Sequence, residues 1–190
     1  MRFGVLALQG DFREHAAAAV AAGAEPVMVR LPGDLDGVDA LAIPGGESTT
    51  IGKLADRYGL VEPLREVIAA GLPTLGTCAG MIFLATATTG ARSQVQLGVL
   101  DVVVRRNAFG PQVASFETDL DVAGVEGPVR AVFIRAPWIE KVGVGVEVLA
   151  EVDGHPVMVR EGNIVATAFH PELTGDPRIH RLLLEMCGRM

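Results

Sequence analysis

Thr74-Leu75-Gly76-Thr77-Cys78-Ala79-Gly80-Met81-Ile82-Phe83-Leu84 is the stretch on which the reading of this chain turns. A strand-like run ends at Thr77 and a helix-like run opens after Cys78, with a glycine two residues to either side of the sulfur. Those glycines allow a sharp strand-to-helix turn and clear space around the side chain at its apex, the geometry of the G-x-S-x-G elbow. A thiol at such a turn sits at a helix N-terminus, where unpaired N–H groups and the dipole favour thiolate. A free cysteine is more commonly a small buried hydrophobe. A core cysteine, however, does not need glycines on both sides.

Upstream of the elbow, strand and helix patterns alternate. Phe3–Leu8 reads as a strand, a helix begins at Gly10 or Asp11 and stops at Gly23, and Pro26–Arg30 is a second strand. Asp39–Ile43 is a third, running into Pro44-Gly45-Gly46. Ser48 or Thr49 is expected to cap a helix ending near Tyr58, and Glu62–Ala70 forms another with Pro63 in its first turn. This alternation predicts an α/β fold: a mostly parallel central sheet with helices on both faces, its short strands apolar because both sides are covered. Ligands of such sheets bind beyond the carboxyl ends of the strands. Gln9, Gly45-Gly46-Glu47-Ser48 and Cys78 all follow such ends, which places them on one rim.

The second half changes character. Gly98–Arg105, Ala114–Leu120, Val129–Arg135, Val146–Val152, His155–Glu161 and Asn163–Ala168 are strand-like, with a hairpin dipeptide at Asp153-Gly154. These predict an antiparallel or mixed β extension that feeds a last central strand, Ile164–Phe169, with His170 at its end. Asp176–Gly188 closes the pattern as an amphipathic helix carrying Ile179, Leu182, Leu183 and Met186.

Composition narrows the function classes. A chain of 190 residues, 49% hydrophobic, is read as one domain spanning 1–190 with a substantial core. Sixteen Lys+Arg against 23 Asp+Glu give a formal net charge of −7 with no basic run, so no nucleic-acid partner is expected. No apolar stretch reaches membrane-span length, and Met1–Gly10 reads as a buried strand rather than a leader, so no membrane partner and a cytoplasmic location are expected. Two cysteines, Cys78 and Cys187, make neither a disulfide framework nor a zinc cluster.

The chemistry-bearing groups are few. Cys78 early, then His170-Pro171-Glu172 late, is the order a cysteine triad requires: the histidine takes the thiol proton and the carboxylate orients the imidazole. A zinc deaminase also uses H-x-E but needs a downstream P-C-x-x-C, and nothing of that kind follows Glu172. Neither a metal nor a cofactor is expected. Gly45-Gly46-Glu47-Ser48-Thr49-Thr50 suits an oxyanion hole or a ligand carboxylate; it is not a phosphate loop, because Leu54 follows Gly52-Lys53 where Ser or Thr should stand. Arg106 and Arg135 each follow a strand and could clamp a carboxylate. His15, His155 and His180 have no metal-spaced companions; His15, next to Glu14, is expected on a solvated helix face, and none of the three is assigned chemistry.

Several segments together resemble a known family: Gly4-Val5-Leu6-Ala7-Leu8-Gln9-Gly10-Asp11-Phe12-Arg13-Glu14-His15, Pro44 to Thr50, Gly76 to Gly80, Arg105-Arg106-Asn107-Ala108-Phe109-Gly110, Phe133-Ile134-Arg135-Ala136-Pro137 and Phe169-His170-Pro171-Glu172-Leu173. They look like the glutaminase subunit of pyridoxal 5′-phosphate synthase, a branch of the class I (triad) glutamine amidotransferases. The resemblance implies a three-layer, flavodoxin-like sheet and hydrolysis of L-glutamine to glutamate and ammonia. It implies Cys78, His170 and Glu172 as the triad and Gly46 and Ala79 as oxyanion donors. Gly46, Glu47, Ser48, Arg106, Ile134 and Arg135 would hold glutamine. The implied partner is a (β/α)₈-barrel synthase subunit that receives the ammonia within a large hetero-oligomer. Rival readings are another triad amidotransferase, such as the one of histidine biosynthesis, a peptidase-like or chaperone-like relative, and a non-enzymatic binding module on the same scaffold.

Overall fold

Three runs with every residue buried, Ala40–Ile43, Thr74–Thr77 and Ile164–Thr167, lie side by side at the heart of the main sheet. The computed structural model describes residues 1–90, 94–106, 108 and 115–188. Asn107, Phe109, Gly110 and Ala114, quoted above, fall outside them.

The first half alternates as expected: β1 (Arg2–Leu6), α1 (Phe12–Ala21), β2 (Glu25–Val29), β3 (Ala40–Ile43), α2 (Ser48–Arg57), α3 (Val61–Ala69), β4 (Thr74–Thr77) and α4 (Ala79–Leu84). Strands follow in the second half: β5 (Ala85–Thr89), β6 (Leu100–Arg105), β7 (Ser115–Leu120), β8 (Val129–Ile134), β9 (Trp138–Val142), β10 (Glu147–Val152), β11 (His155–Glu161) and β12 (Ile164–Thr167), then α5 (Arg178–Met186). The seven-stranded sheet runs β10-β11-β12-β4-β3-β1-β2. Its neighbours from β2 to β12 are parallel, and β11 and β10 add an antiparallel edge. Fully buried strands at the centre follow from the parallel arrangement, which needs both faces covered. Helix α1 covers β1 and β2, α5 covers β4, and α2 meets α3 and α4.

The extension is mixed. β5 pairs in parallel with β6, which pairs antiparallel with β9, while β7 and β8 form a separate antiparallel ribbon. Neither β5 nor β9 is apparent in the sequence. Helix α4 ends after six residues because Ala85 turns to extended backbone (φ −60°, ψ 151°), and the β-branched Thr86, Thr88 and Thr89 continue as strand. The cap of α2 also differs from expectation. Glu47, not Ser48 or Thr49, is the N-cap, its carboxylate accepting the Thr50 N–H at 2.8 Å.

The core is continuous. Phe3, Phe83, Phe133 and Phe169 are fully buried among the aliphatic side chains of the sheet and helices. Phe133 of the β7–β8 ribbon tilts against Phe169 (centroids 5.7 Å apart), which fastens the ribbon to the segment carrying His170. Among the described residues, no helix is long and apolar enough to cross a membrane.

Candidate active site

Four strands end at one edge of the sheet, and each hands over to a site segment. β4 runs into Cys78, β12 is followed by Ala168-Phe169-His170, β3 by Pro44-Gly45-Gly46, and β1 by the turn holding Gln9 and Asp11.

Cys78 occupies a strained conformation, φ 49° and ψ −100°, a region that side chains other than glycine seldom adopt. Hydrogen bonds hold it from both sides: its N–H donates to the Thr167 carbonyl at 2.7 Å, and its own carbonyl accepts the Ile82 N–H at 3.2 Å. The flanking glycines are required by close approach. A β-carbon on Gly80 would collide with the Ile43 carbonyl, and one on Gly76 would strike Leu84 and come within 2.9 Å of the Gly80 carbonyl carbon. Without side chains at 76 and 80, the start of α4 packs directly on β3 and the thiol is thrust to the rim.

His170 is fixed through its backbone N–H, which donates to the Val132 carbonyl at 2.9 Å. Its Nδ1 lies 2.8 Å from Glu172 Oε1 and 3.4 Å from Asp11 Oδ2, leaving Nε2 for the thiol. The ring rests on Gly45: a β-carbon there would collide with Cε1 and sit 2.8 Å from Nδ1. Burial opposes the imidazolium and is the largest single influence, yet hydrogen bonds to Asp11, Cys78 and Glu172 outweigh it and hold the His170 pKa well above its ordinary value. Burial likewise opposes ionisation of Glu172, but His15 and His170 beside it keep the carboxyl below the usual carboxylate range. The geometry therefore supports a sulfur facing an imidazolium whose charge is balanced by a buried carboxylate.

Cys78 and His170 share a cavity of about 410 Å³. Gly46, Ala79 and Ile82 line it, and Glu47, Ser48 and Arg106 contribute polar groups. Ile134, Arg135 and Pro137 arrive from the end of β8, with Arg135 in left-handed backbone (φ 44°). Every residue expected as a triad member, oxyanion donor or glutamine contact thus reaches this cavity except Glu172, which stands behind His170. Arg106 pairs with Glu47 Oε1 at 3.0 Å. Burial raises the Glu47 pKa, but hydrogen bonds from Thr49 and Thr50 overcome it and bring the group down to about 2. Glu47 is therefore an ionised cap that also anchors Arg106.

Other residues of the site are not evident in the sequence. Asp11 lines the cavity beside His170. Gln94 accepts from Ser48 Oγ at 3.1 Å and from Arg106 Nη1 at 3.4 Å, and a single glutamine in a polar loop carries no signal. Gln9, which the sequence already placed on this rim, accepts the Glu47 N–H at 2.7 Å and braces the glycine loop. His15 overturns the expectation of a solvated helix face, and His180, for which no exposure was expected either way, is interior with it. Both are fully buried, with His15 Nε2 3.0 Å from Thr77 Oγ1 and 3.5 Å from Glu172 Oε1. The alanines after His15 let α1 lie close on the sheet, so its histidine faces inward rather than toward water. His155 instead stacks on Trp138, centroids 3.7 Å apart, and does not line the cavity.

Asp11, His170 and Glu172 are the one group among the described residues whose donor atoms, all within 4.8 Å, could meet at an ion. His170 Nδ1 is already engaged by Glu172 at 2.8 Å, so the cluster reads as an oriented imidazole rather than an open ligand set.

The model of the SNO glutamine amidotransferase family matches residues 5–189. A protein of Frankia alni named Pyridoxal 5′-phosphate synthase subunit PdxT is 61% identical, the alignment covering 97% of this chain and 94% of that protein. One of the same name from Mycolicibacterium vanbaalenii is 59% identical over 95% of each. A crystal structure described as a glutamine amidotransferase superposes with a TM-score of 0.94 at 54% identity, covering 98% of both chains. The structure of PurLQS from Thermotoga maritima, with a TM-score of 0.71 at 17% identity over 97% of both chains, shares the fold. The chain belongs to the SNO glutamine amidotransferase family.

Proposed function

We propose that Cys78, His170 and Glu172 hydrolyse L-glutamine and that the ammonia passes to a synthase subunit making pyridoxal 5′-phosphate. The observation that carries this reading is the strained Cys78 facing, across one cavity, an imidazole tied to a buried carboxylate. The Cys78 thiolate attacks the carboxamide carbon, and the carbon–oxygen π pair moves onto oxygen. Backbone N–H groups of Gly46 and Ala79 stabilise that oxyanion. The His170 imidazolium protonates the nitrogen, and the C–N bond breaks to release ammonia and leave a glutamyl thioester. His170, now neutral, takes a proton from water as the water attacks the thioester, and the C–S bond breaks to yield glutamate and the thiolate. Glu172 holds the ring so that Nε2 serves both proton transfers.

The lining suits the substrate's head group. A free amino acid carries one carboxylate and one ammonium, and the cavity offers two guanidiniums, Arg106 and Arg135, with the ionised Glu47. Relatives named as subunits of pyridoxal 5′-phosphate synthase supply the acceptor, and the Ile134 side chain, 42% exposed at the mouth, supports a covering partner. We expect that partner to be a (β/α)₈ barrel in a hetero-oligomer. The test is ammonia release from glutamine with and without the synthase subunit. Wild type with the subunit should turn over, and Cys78→Ala should release ammonia no faster than buffer. Equal rates from the two proteins would exclude the mechanism, and turnover supported only by a different synthase would exclude the acceptor.

A further inference from the structure

Behind the triad lies a run of buried polar side chains that the mechanism above does not use. His180 of α5 and His15 of α1 are fully buried, and His180 Nε2 is 3.0 Å from His15 Nδ1. His15 Nε2 is 3.0 Å from Oγ1 of the buried Thr77, and Thr77 Oγ1 is 3.5 Å from Glu172 Oε1. The same oxygen takes the His170 contact at 2.8 Å. Three elements and the Pro171–Leu173 turn are thus joined through contacts that stop at the carboxylate; His15 Nε2 is itself 3.5 Å from Glu172 Oε1, but its shorter contact, at 3.0 Å, is to Thr77. His170 and Asp11 are the charged or titratable groups on the cavity side of Glu172, and His15 and His180 those on its interior side.

The directions of these hydrogen bonds can be worked out from the far end. His180 Nδ1 has no hydrogen-bond partner and is buried. An unpaired buried N–H is rarer and costlier than an under-used acceptor. The ring proton of His180 therefore sits on Nε2 and is donated to His15 Nδ1. His15, accepting at Nδ1, carries its proton on Nε2 and donates it to Thr77 Oγ1. The Thr77 hydroxyl is then free to donate to Glu172 Oε1. Each group accepts from the one behind and donates to the one ahead, and the polarity ends on the carboxylate that orients His170. Burial is the largest influence on His180 and pushes it down to about 3, which agrees with a neutral ring at the head of the line.

We propose that His15, held in one tautomer by His180, is a positioning residue that acts through Thr77 to fix Glu172 in the orientation His170 needs. His15 does not line the cavity, so its effect falls on turnover rather than on glutamine binding. The inference rests on the glutaminase reading for its kinetic part only.

Two measurements test it. The first assays glutamine hydrolysis in the presence of the synthase subunit. Thr77→Val, which keeps shape and removes the hydroxyl, and His15→Leu should each lower kcat about tenfold, the scale of one buried hydrogen bond, with KM within about twofold. His15→Gln, which can present an N–H near the Nε2 position, should restore kcat to within about threefold of wild type. Unchanged kcat in Thr77→Val, a rise in KM at constant kcat, or equal losses in His15→Leu and His15→Gln at equal melting temperature would overturn the proposal. The second needs no variant. Long-range ¹H–¹⁵N spectra of the histidine rings in the wild-type chain at neutral pH should show His15 and His180 as Nε2–H tautomers. A proton on His180 Nδ1 would overturn it. If wild type with its partner releases no ammonia, the glutaminase reading fails while the spectra still judge the relay.

Discussion

At Gly45 the site's chemistry reduces to the space of one methyl group. The His170 ring cannot retreat, because Nδ1 is tied to Glu172 at 2.8 Å and the backbone N–H to Val132 at 2.9 Å. Gly45→Ala would place a β-carbon against Cε1 and 2.8 Å from Nδ1. We expect kcat for glutamine to fall by at least tenfold in this variant, since displacing a proton-transfer group by about an ångström has that order of effect. Steady-state kinetics with the synthase subunit checks this, and wild-type kcat in Gly45→Ala would show that the ring has room to move. The same scale explains G-x-C-x-G. Gly76 and Gly80 are legible in the sequence as an elbow, but their physical reason is contact in the folded chain: Gly76 with Leu84 of the helix that follows, and Gly80 with the Ile43 carbonyl of another strand.

At the scale of elements, α2 is organised by the residue that caps it. Glu47 accepts from the Thr50 N–H and from the hydroxyls of Thr49 and Thr50, while its other oxygen holds Arg106. One side chain therefore both starts a helix and sets a cavity wall. Glu47→Ala should lower stability by about 1 kcal/mol through the lost cap, and should raise KM for glutamine severalfold because Arg106 loses its anchor. Thermal melts and kinetics on the same preparation separate the two effects, and an unchanged KM would remove Arg106 from substrate binding. The sequence pointed to a capped helix here but to Ser48 or Thr49 as its cap. Serine and threonine are common caps, and only the backbone path out of the Gly46 turn, at φ 146°, decides which oxygen reaches the Thr50 N–H.

For the whole molecule, buried titratable groups link stability to pH. His180 is held at about 3 against an ordinary 6.5, so the unfolded chain binds the extra proton as pH falls below 6.5 and stability drops. Glu172, held below its ordinary 4.5, adds a loss at lower pH still. His170 runs the other way: its raised value makes its contribution complete below 6.5 and progressively lost as pH rises toward its folded value. The melting temperature should therefore peak near pH 6 to 7 and already decline between pH 6 and 5, above the carboxylate range. A scanning melt series from pH 5 to 9 tests this, and a flat profile from 8 to 5 would contradict it. The residues alone determined the α/β alternation, the elbow at Cys78 and the pairing of an early thiol with a late His-x-Glu, because each depends on local periodicity or on residue types adjacent in the chain. Only the tertiary structure decided that His15 and His180 are interior, that Asp11 and Gln94 join the site, and that β5 and β9 are strands. Each of those outcomes depends on which side chains from distant segments meet once helices close on a buried sheet, and no local pattern encodes that meeting.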